Sequence, residues 1–257
     1  MGQFPLRWTD NLFATVNALM DGSETAVRDQ RTATIVWQLS FKGLSDGERK
    51  ALETFFDETR GSRHSFTMLD PSDNLIAWSE DFTQACWQPG PLLNIIPGIR
   101  DPIGGTAAAR LTNTGQATQG VLQQMNGPGG YRYCFSVYVR SETPKTVTLV
   151  QACNATTLQQ SVSTSENWER VMLSGMVAPG DGVSFGIELA PGVQVEIFGA
   201  QVEAQPAAGT YKRTTVSGGV YQNCRFDQDE LEMTATAPGA YGCALRIRTV
   251  GRLPWAA

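Results

Sequence analysis

The stretch Arg31–Pro71, RTATIVWQLSFKGLSDGERKALETFFDETRGSRHSFTMLDP, holds a strand, a bracketed helix and a second strand in succession, and the rest of the chain is read outward from it. Ser45 stands three residues before Glu48, the spacing at which a serine hydroxyl accepts from a backbone amide while the glutamate reaches back to the cap. Gly61 supplies a left-handed stop, so the spacing predicts a helix from about Asp46 to Arg60. Leu52, Phe55 and Phe56 share its apolar face, with Leu44 placed to staple onto them. Glu48, Lys50, Glu53, Asp57 and Glu58 cover the other face. Before the helix, Ile35, Trp37, Leu39 and Phe41 alternate with Thr34, Val36, Gln38 and Ser40, the period of a strand with one face on a core. Phe66 and Met68 restart that alternation, and Asp70-Pro71 ends it.

Upstream, Asn11–Met20 reads as a strand and Asp21-Gly22 as a hairpin turn, with a second arm running from about Ser23 into the Thr32–Phe41 strand. Such a hairpin either projects to pair with neighbouring subunits or forms an ordinary sheet edge. Downstream of Pro71 the texture changes. Residues 74–215 carry 8 Lys/Arg and 10 Asp/Glu in 142 residues, whereas 1–73 plus 216–257 carry 12 and 15 in 115, nearly double the density. The middle reads as short alternating strands without a helix, the pattern of a β-sandwich or jelly roll. Tyr133, Phe135, Val137 and Val139 share one face, and Val147 and Leu149 follow the Thr143-Pro144 turn. Trp168, Val171 and Leu173 mark another strand. Phe185, Ile187 and Leu189 alternate inward, and across Pro191-Gly192 Val193, Val195 and Ile197 read as the returning arm of a hairpin.

From Val216 the charge returns. Val220–Phe226, Leu231–Thr236 and Tyr241–Val250 read as a meander with turns at Asp227-Gln228-Asp229 and Ala237-Pro238-Gly239. This tail is too short to bury its own apolar faces, so it completes the domain begun by the opening stretch. The expected architecture is mainly β: a discontinuous domain, 1–73 plus 216–257, interrupted by a sandwich over 74–215.

A net charge of -5 with 41% hydrophobic residues describes a soluble globular protein and argues against nucleic-acid or anionic-membrane partners. No apolar run reaches the roughly 18 to 20 residues of a membrane span. MGQFPLRWTD lacks the features of a signal peptide, so synthesis in a cytoplasm is expected. Cys86, Cys134, Cys153, Cys224 and Cys243 are widely spaced without a CxxC pair and read as buried free thiols.

His64 is the only histidine, which excludes a multi-histidine metal centre and leaves a catalytic triad without a suitable base, since Ser65 points to the opposite strand face. Glu188 and Glu196 fall on one face of the 183–199 hairpin, close enough for a glycosidase pair to be weighed, but they read as solvated positions able to line a sugar-binding face. Asp227, Asp229, Glu230 and Glu232 form an acidic turn without the rest of a calcium loop. Asn126–Gly130 lacks the lysine of a phosphate loop. No cofactor, metal or enzymatic activity is expected. Glycan binding requires exposed aromatic faces beside polar groups, and strand alternation places Tyr138 outward with Arg132, Ser136 and Arg140.

Two resemblances accompany this reading. The WQLSF strand, the LS-x-x-E-x-x-x-L-x-x-FF helix, the R-G turn and the strand ending in LDP resemble the N-terminal domain of distal tail proteins of long-tailed bacteriophages and gene transfer agents, a split β-barrel whose remaining strands the C-terminal tail would supply. The middle, with NLIAWSEDFTQACWQ (74–88), YCFSVYVRS (133–141), NWERV (167–171) and IFGAQVEAQPAAGTYKRTT (197–215), resembles jelly-roll modules of phage tail and fibre proteins, which are similar to carbohydrate-binding modules. In that pattern Trp87 and Trp168 are core residues. The resemblance implies a structural protein of the virion tail tip, made in the bacterial cytoplasm, forming a homo-oligomeric ring of six copies between tail tube protein and hub. It also implies an insert that contacts host surface polysaccharide. A different minor tail protein, or a carbohydrate-binding protein without ring assembly, would share these features.

Overall fold

The structure, a computed structural model, describes residues 3–18 and 24–250. In chain order, β1 (Gln3–Ala18), β2 (Glu24–Leu44), helix α1 (Asp46–Thr59) and β3 (Phe66–Leu69) come first. Next are β4 (Trp87–Pro89), β5 (Leu93–Ile99), β6 (Ala108–Asn113), β7 (Gln119–Pro128), β8 (Arg132–Arg140) and β9 (Thr146–Cys153). Then follow β10 (Thr156–Ser163), β11 (Glu169–Met176), β12 (Asp181–Leu189) and β13 (Gln194–Glu203), and β14 (Val220–Phe226), β15 (Met233–Ala237) and β16 (Ala240–Val250) close the chain. Two compact units result, Met1–Met68 with Tyr221–Ala257, and Leu69–Val220.

The first unit is one open sheet in the order β1-β2-β16-β14-β3. The expected split barrel is therefore corrected: among the described residues β1 and β3 remain edges, and the sheet does not close. Closure is unnecessary because α1 covers the apolar face instead. Phe56 of the helix packs with Ile35, Trp37 and Leu39 of β2, Phe226 of β14, and Leu245 and Ile247 of β16. The tail is not a meander either. β14 and β15 both flank β16, Cys224–Phe226 against Ile247–Thr249 and Met233–Ala237 against Ala240–Cys243. At 11 residues β16 is long enough to take both.

The helix forms as its caps dictate. The Ser45 amide donates to Glu48 Oε2 at 2.9 Å and the Glu48 amide to Ser45 Oγ at 3.3 Å, satisfying two N–H groups that the first turn leaves free. The left-handed stop comes one residue early, at Arg60 with φ 51°, and continues through Gly61 with φ 59°. A Cβ on Gly61 would lie 3.0 Å from Asp229 Oδ1, so approach as well as dihedral requires glycine there. Phe55 departs from expectation. It is 38% exposed and presents its edge to Phe66 and Phe226 rather than entering the core.

The arms of the N-terminal hairpin pair from Gln3↔Ser40 to Ala18↔Glu24. The expected Asp21-Gly22 turn lies outside the described residues. Pairing of β2 with β16 ends at Thr34↔Val250, and beyond it no third strand joins the β1–β2 ribbon among the described residues.

The second unit is a jelly-roll-like sandwich of two five-stranded sheets, β10-β9-β12-β7-β4 and β11-β8-β13-β6-β5. Phe135, Val137 and Val139 of β8 and Val195 and Ile197 of β13 meet Leu149 of β9 and Phe185, Ile187 and Leu189 of β12 in one core. The expected 183–199 hairpin is not formed. β12 lies between β9 and β7 in one sheet, while β13 lies between β8 and β6 in the other. Both strands feed the same core, so their alternation looks identical whether the Pro191-Gly192 connection folds back or crosses between sheets.

Candidate functional site

The residues that carry the second unit's sequence pattern are occupied in tying its two ends together. Asn74 is fully buried. Its amide donates to the Ala200 and Lys212 carbonyls at 2.9 and 3.1 Å, and its Oδ1 accepts from the amides of Ile76 and Val202 at 3.3 and 3.0 Å. Ser79 Oγ accepts from the Thr214 amide at 2.8 Å and bonds the Tyr211 hydroxyl at 2.9 Å, while the Thr214 hydroxyl donates to Ile76 O at 2.7 Å. Gln201 Oε1 accepts from the Lys212 amide, and Glu203 from the Gly209 amide. Arg170 donates to Gly209 O and Ser136 Oγ. Gly199, at φ 64°, lies close under the Tyr211 ring: a Cβ there would come within 3.1 Å of it in a backbone conformation that strains other residues.

These bonds hold residues 205–214 against β13 and β8, and that segment covers Tyr138. The Tyr138 ring lies 6.0 Å from Phe198 and 6.3 Å from Tyr211, with the Arg170 guanidinium 5.6 Å from its centroid. Tyr138, expected to face outward beside Ser136, is therefore half-buried, and Ser136 is fully buried. Alternation gives the face of a strand on which a side chain lies, not what a later segment lays over it.

Beyond that flap, the same face keeps a polar row open. Glu196 of β13 stands opposite Arg140 of β8 and Arg110 of β6, and Arg110 stands opposite Ile96 of β5. Arg110 Nη2 reaches Glu196 Oε1 at 2.7 Å and Arg140 Nε reaches Oε2 at 2.6 Å, so one carboxylate bridges two guanidinium groups. The Arg140 guanidinium also stacks 4.7 Å from the centroid of Trp168, just before β11. The row thus runs Trp168, Arg140, Glu196, Arg110, Ile96. Burial pushes the Glu196 carboxyl up, but hydrogen bonds from Arg110 and Arg140 and their charges hold it below the usual carboxylate range. Its contribution to stability is therefore present above the ordinary carboxylate pKa and lost as pH falls through the lowered folded value. In urea unfolding, Glu196→Gln is expected to be less stable than the parent at neutral pH, with the gap shrinking on acidification below the carboxylate range.

The five residues expected to bind ligand are not one site. Arg140 and Glu196 meet, and Tyr138 lies in the adjoining register position. Arg132 is exposed at the other end of β8, opposite Met176, about 26 Å from Arg140 at the rise of a strand. Glu188 lies on the outer face of the other sheet, opposite Thr148 and Gly120, where Gln159 donates to it at 3.1 Å. Glu188 and Glu196 were expected on one face; the crossing of β12 to β13 puts them on opposite outer faces of the sandwich, too far apart to act as a hydrolytic pair.

Three members of the row, Arg110, Trp168 and Ile96, are not among the expected site residues. Arg110 sits in AARLTN, where Ala109 and Leu111 alternate with Arg110 and Thr112, a strand signal too short and too small in side chain to stand out. Trp168 was expected in the core and is half-exposed over Arg140. The acidic turn is also dispersed: Asp229 Oδ1 accepts from the Ser62 amide and hydroxyl at 3.0 and 2.6 Å, and Asp227 pairs with Arg246. Among the described residues no group of three or more His, Cys, Asp or Glu is arranged to hold a metal, and no helix is long and apolar enough to cross a membrane. All five cysteines are free.

The strand order defines the second unit as a jelly-roll-like sandwich with a polar and aromatic row on one outer face. No family model matches the sequence, and no curated protein matches it. Among solved structures, the chain is similar to the enzymatically active domain of tailspike protein 4 of bacteriophage CBA120, at 12% identity and TM-score 0.43, over 53% of this chain and 22% of that one. It is also similar to the CBM22-1 xylan-binding domain of Xyn10C from Paenibacillus barcinonensis, at 12% identity and TM-score 0.44, over 55% of this chain and 99% of that one. A CBM4 structure is similar at 16% identity and TM-score 0.39, over 52% and 96%.

Proposed function

We propose that the chain is a structural protein of a phage tail tip, whose first unit assembles as a ring of identical copies between tail tube and hub and whose second unit presents the Trp168–Ile96 row to a host surface polysaccharide. The observation that carries the recognition half is that Asn74, Ser79 and the other polar residues of the insert's sequence pattern are consumed internally, leaving Trp168, Arg140, Glu196 and Arg110 as a pre-arranged, half-exposed group. A flat aromatic surface beside rigidly held charge-assisted donors is what sugar rings and their hydroxyls bind. Because Glu196 pins both guanidinium groups, little side-chain freedom remains to be lost on binding.

The assembly half is supported by the sequence likeness of Arg31–Pro71, by the open edges of the sheet, and by Trp8. That residue lies on edge strand β1, opposite the buried Trp37, and is 57% exposed. The long β1–β2 ribbon adds to this, since a two-stranded ribbon is marginally stable alone and gains from a partner.

The test uses the full chain. On an array of bacterial surface polysaccharides at least one binder is expected, and Trp168→Ala and Arg140→Ala are each expected to weaken it by about tenfold, the worth of a stacking contact. Binding to no polysaccharide overturns the recognition half. A chain that stays monomeric at high concentration, with no rings in negative stain, overturns the assembly half and leaves a carbohydrate-binding protein.

A further inference from the structure

The first unit has one face lined with arginine and an opposite side rich in carboxylate. Strand register builds the first as two rows across the sheet, Arg7–Gln38–Arg246 and Thr9–Val36–Arg248–Arg225. This is the face turned away from the core, since Ile35, Trp37, Leu245 and Ile247 point the other way. Arg7, Arg225 and Arg246 are exposed and Arg248 is half-buried. Among the described residues Asp227 is the carboxylate that answers Arg246 and Arg248, 2.8 Å from Arg246 Nη2 and 3.4 Å from Arg248 Nε, while Arg225 donates to the Ser62 and Arg63 carbonyls. Arg225 and Arg248 stand directly opposite one another on paired strands, an arrangement that like charges destabilise.

On the helix side the charge inverts. Asp57 and Glu58 are exposed beside the end of α1, whose last turn contains no basic residue, and this is the end at which the helix dipole disfavours negative charge. The bond from Ser62 to Asp229 brings the 229–232 loop to that turn, and Glu230 and Glu232 are exposed there. Arg60 and Arg63 are exposed at the same turn but are outnumbered by these carboxylates, so the turn carries an excess of negative charge and the arginine face an excess of positive charge.

We propose that the two surfaces meet between copies, the arginine face of one subunit docking against the Asp57, Glu58 and 229–232 side of the next. This rests on the ring reading above and specifies which surfaces touch. The two surfaces differ, so the contact is heterologous and propagates head to tail, giving a ring where the rotation between copies closes. A second copy is favoured over a polyanion because the complementary charge is on the same chain, whose net charge is -5.

Sedimentation of the full chain tests this. Wild type is expected to associate and to weaken as salt rises. Arg7→Glu with Arg246→Glu is expected to reduce association by at least about tenfold, Asp57→Lys with Glu58→Lys likewise, and the four together to restore it. Arg246→Lys keeps the charge and should associate as wild type. A monomeric wild type overturns both this inference and the ring. A ring that tolerates the arginine reversals overturns this inference alone. Should the reversals fail to fold, association of the wild type that is unchanged between low and high salt overturns it. Duplex DNA binding that Arg246→Glu abolishes while assembly persists would make the face a polyanion site and also overturn it.

Discussion

Asn74→Ala is expected to lower the stability of the second unit by about 4 kcal/mol, because it strands four buried backbone groups that each contribute roughly 1 kcal/mol when bonded. No water can substitute easily at a residue that is 0% exposed. The loss is comparable to the whole stability of many domains, roughly 5 to 15 kcal/mol. Urea unfolding would show it directly, and limited proteolysis should cut first within 205–214, the segment that Asn74 and Ser79 hold down. Asn74→Asp is not expected to rescue, since it keeps one acceptor but sets a buried charge against two carbonyls. A variant within 1 kcal/mol of the parent would show that the two ends are held by something other than this side chain.

Phe226→Ala is the counterpart in the first unit, with an expected cost of about 3 to 5 kcal/mol. Phe226 is 1% exposed, and its ring lies 4.9 Å from Phe56, 5.0 Å from Phe66 and 5.7 Å from Phe55. It joins the helix to a strand that arrives only after the whole second unit. The expected readout is faster amide exchange across α1. The second core shares no residue with the first, so its protected amides should keep their rates. Unchanged exchange in α1 would mean that the helix does not need the returning strands.

What was legible from the sequence, and what was not, follows from the range of each signal. The helix was legible because Ser45 and Glu48 act three residues apart, and its start at Asp46 is where that pair puts it. The facing pattern of β8 was equally local: Tyr133, Phe135, Val137 and Val139 are all buried. Partners were not local. The same Ile187-to-Val195 alternation serves a hairpin or a crossover, and the structure takes the crossover, which is why Glu188 and Glu196 part. Nor does alternation report a covering segment, and residues 205–214 lie over Tyr138. Arg110, by strand register, and Trp168, by its stacking on Arg140, join Arg140 and Glu196 across 28 to 86 residues of sequence. The open sheet, in turn, reflects a choice between self-closure and a helical cover that a period-two pattern leaves undecided.

The stitching at the two ends of the second unit bears on how such chains change over generations. The Asp70 backbone amide donates to Gly219 O at 2.8 Å and the Gly219 amide to Asn74 O at 2.8 Å, so the polypeptide leaves for the sandwich and comes back from it at neighbouring points. To the interrupted sheet, the whole excursion is topologically no more than a tight connection between β3 and β14. A different module whose ends meet the same way could be spliced between those strands without asking the sheet to shift. Recombination would then replace one cassette by another while the surfaces of the sheet are inherited intact.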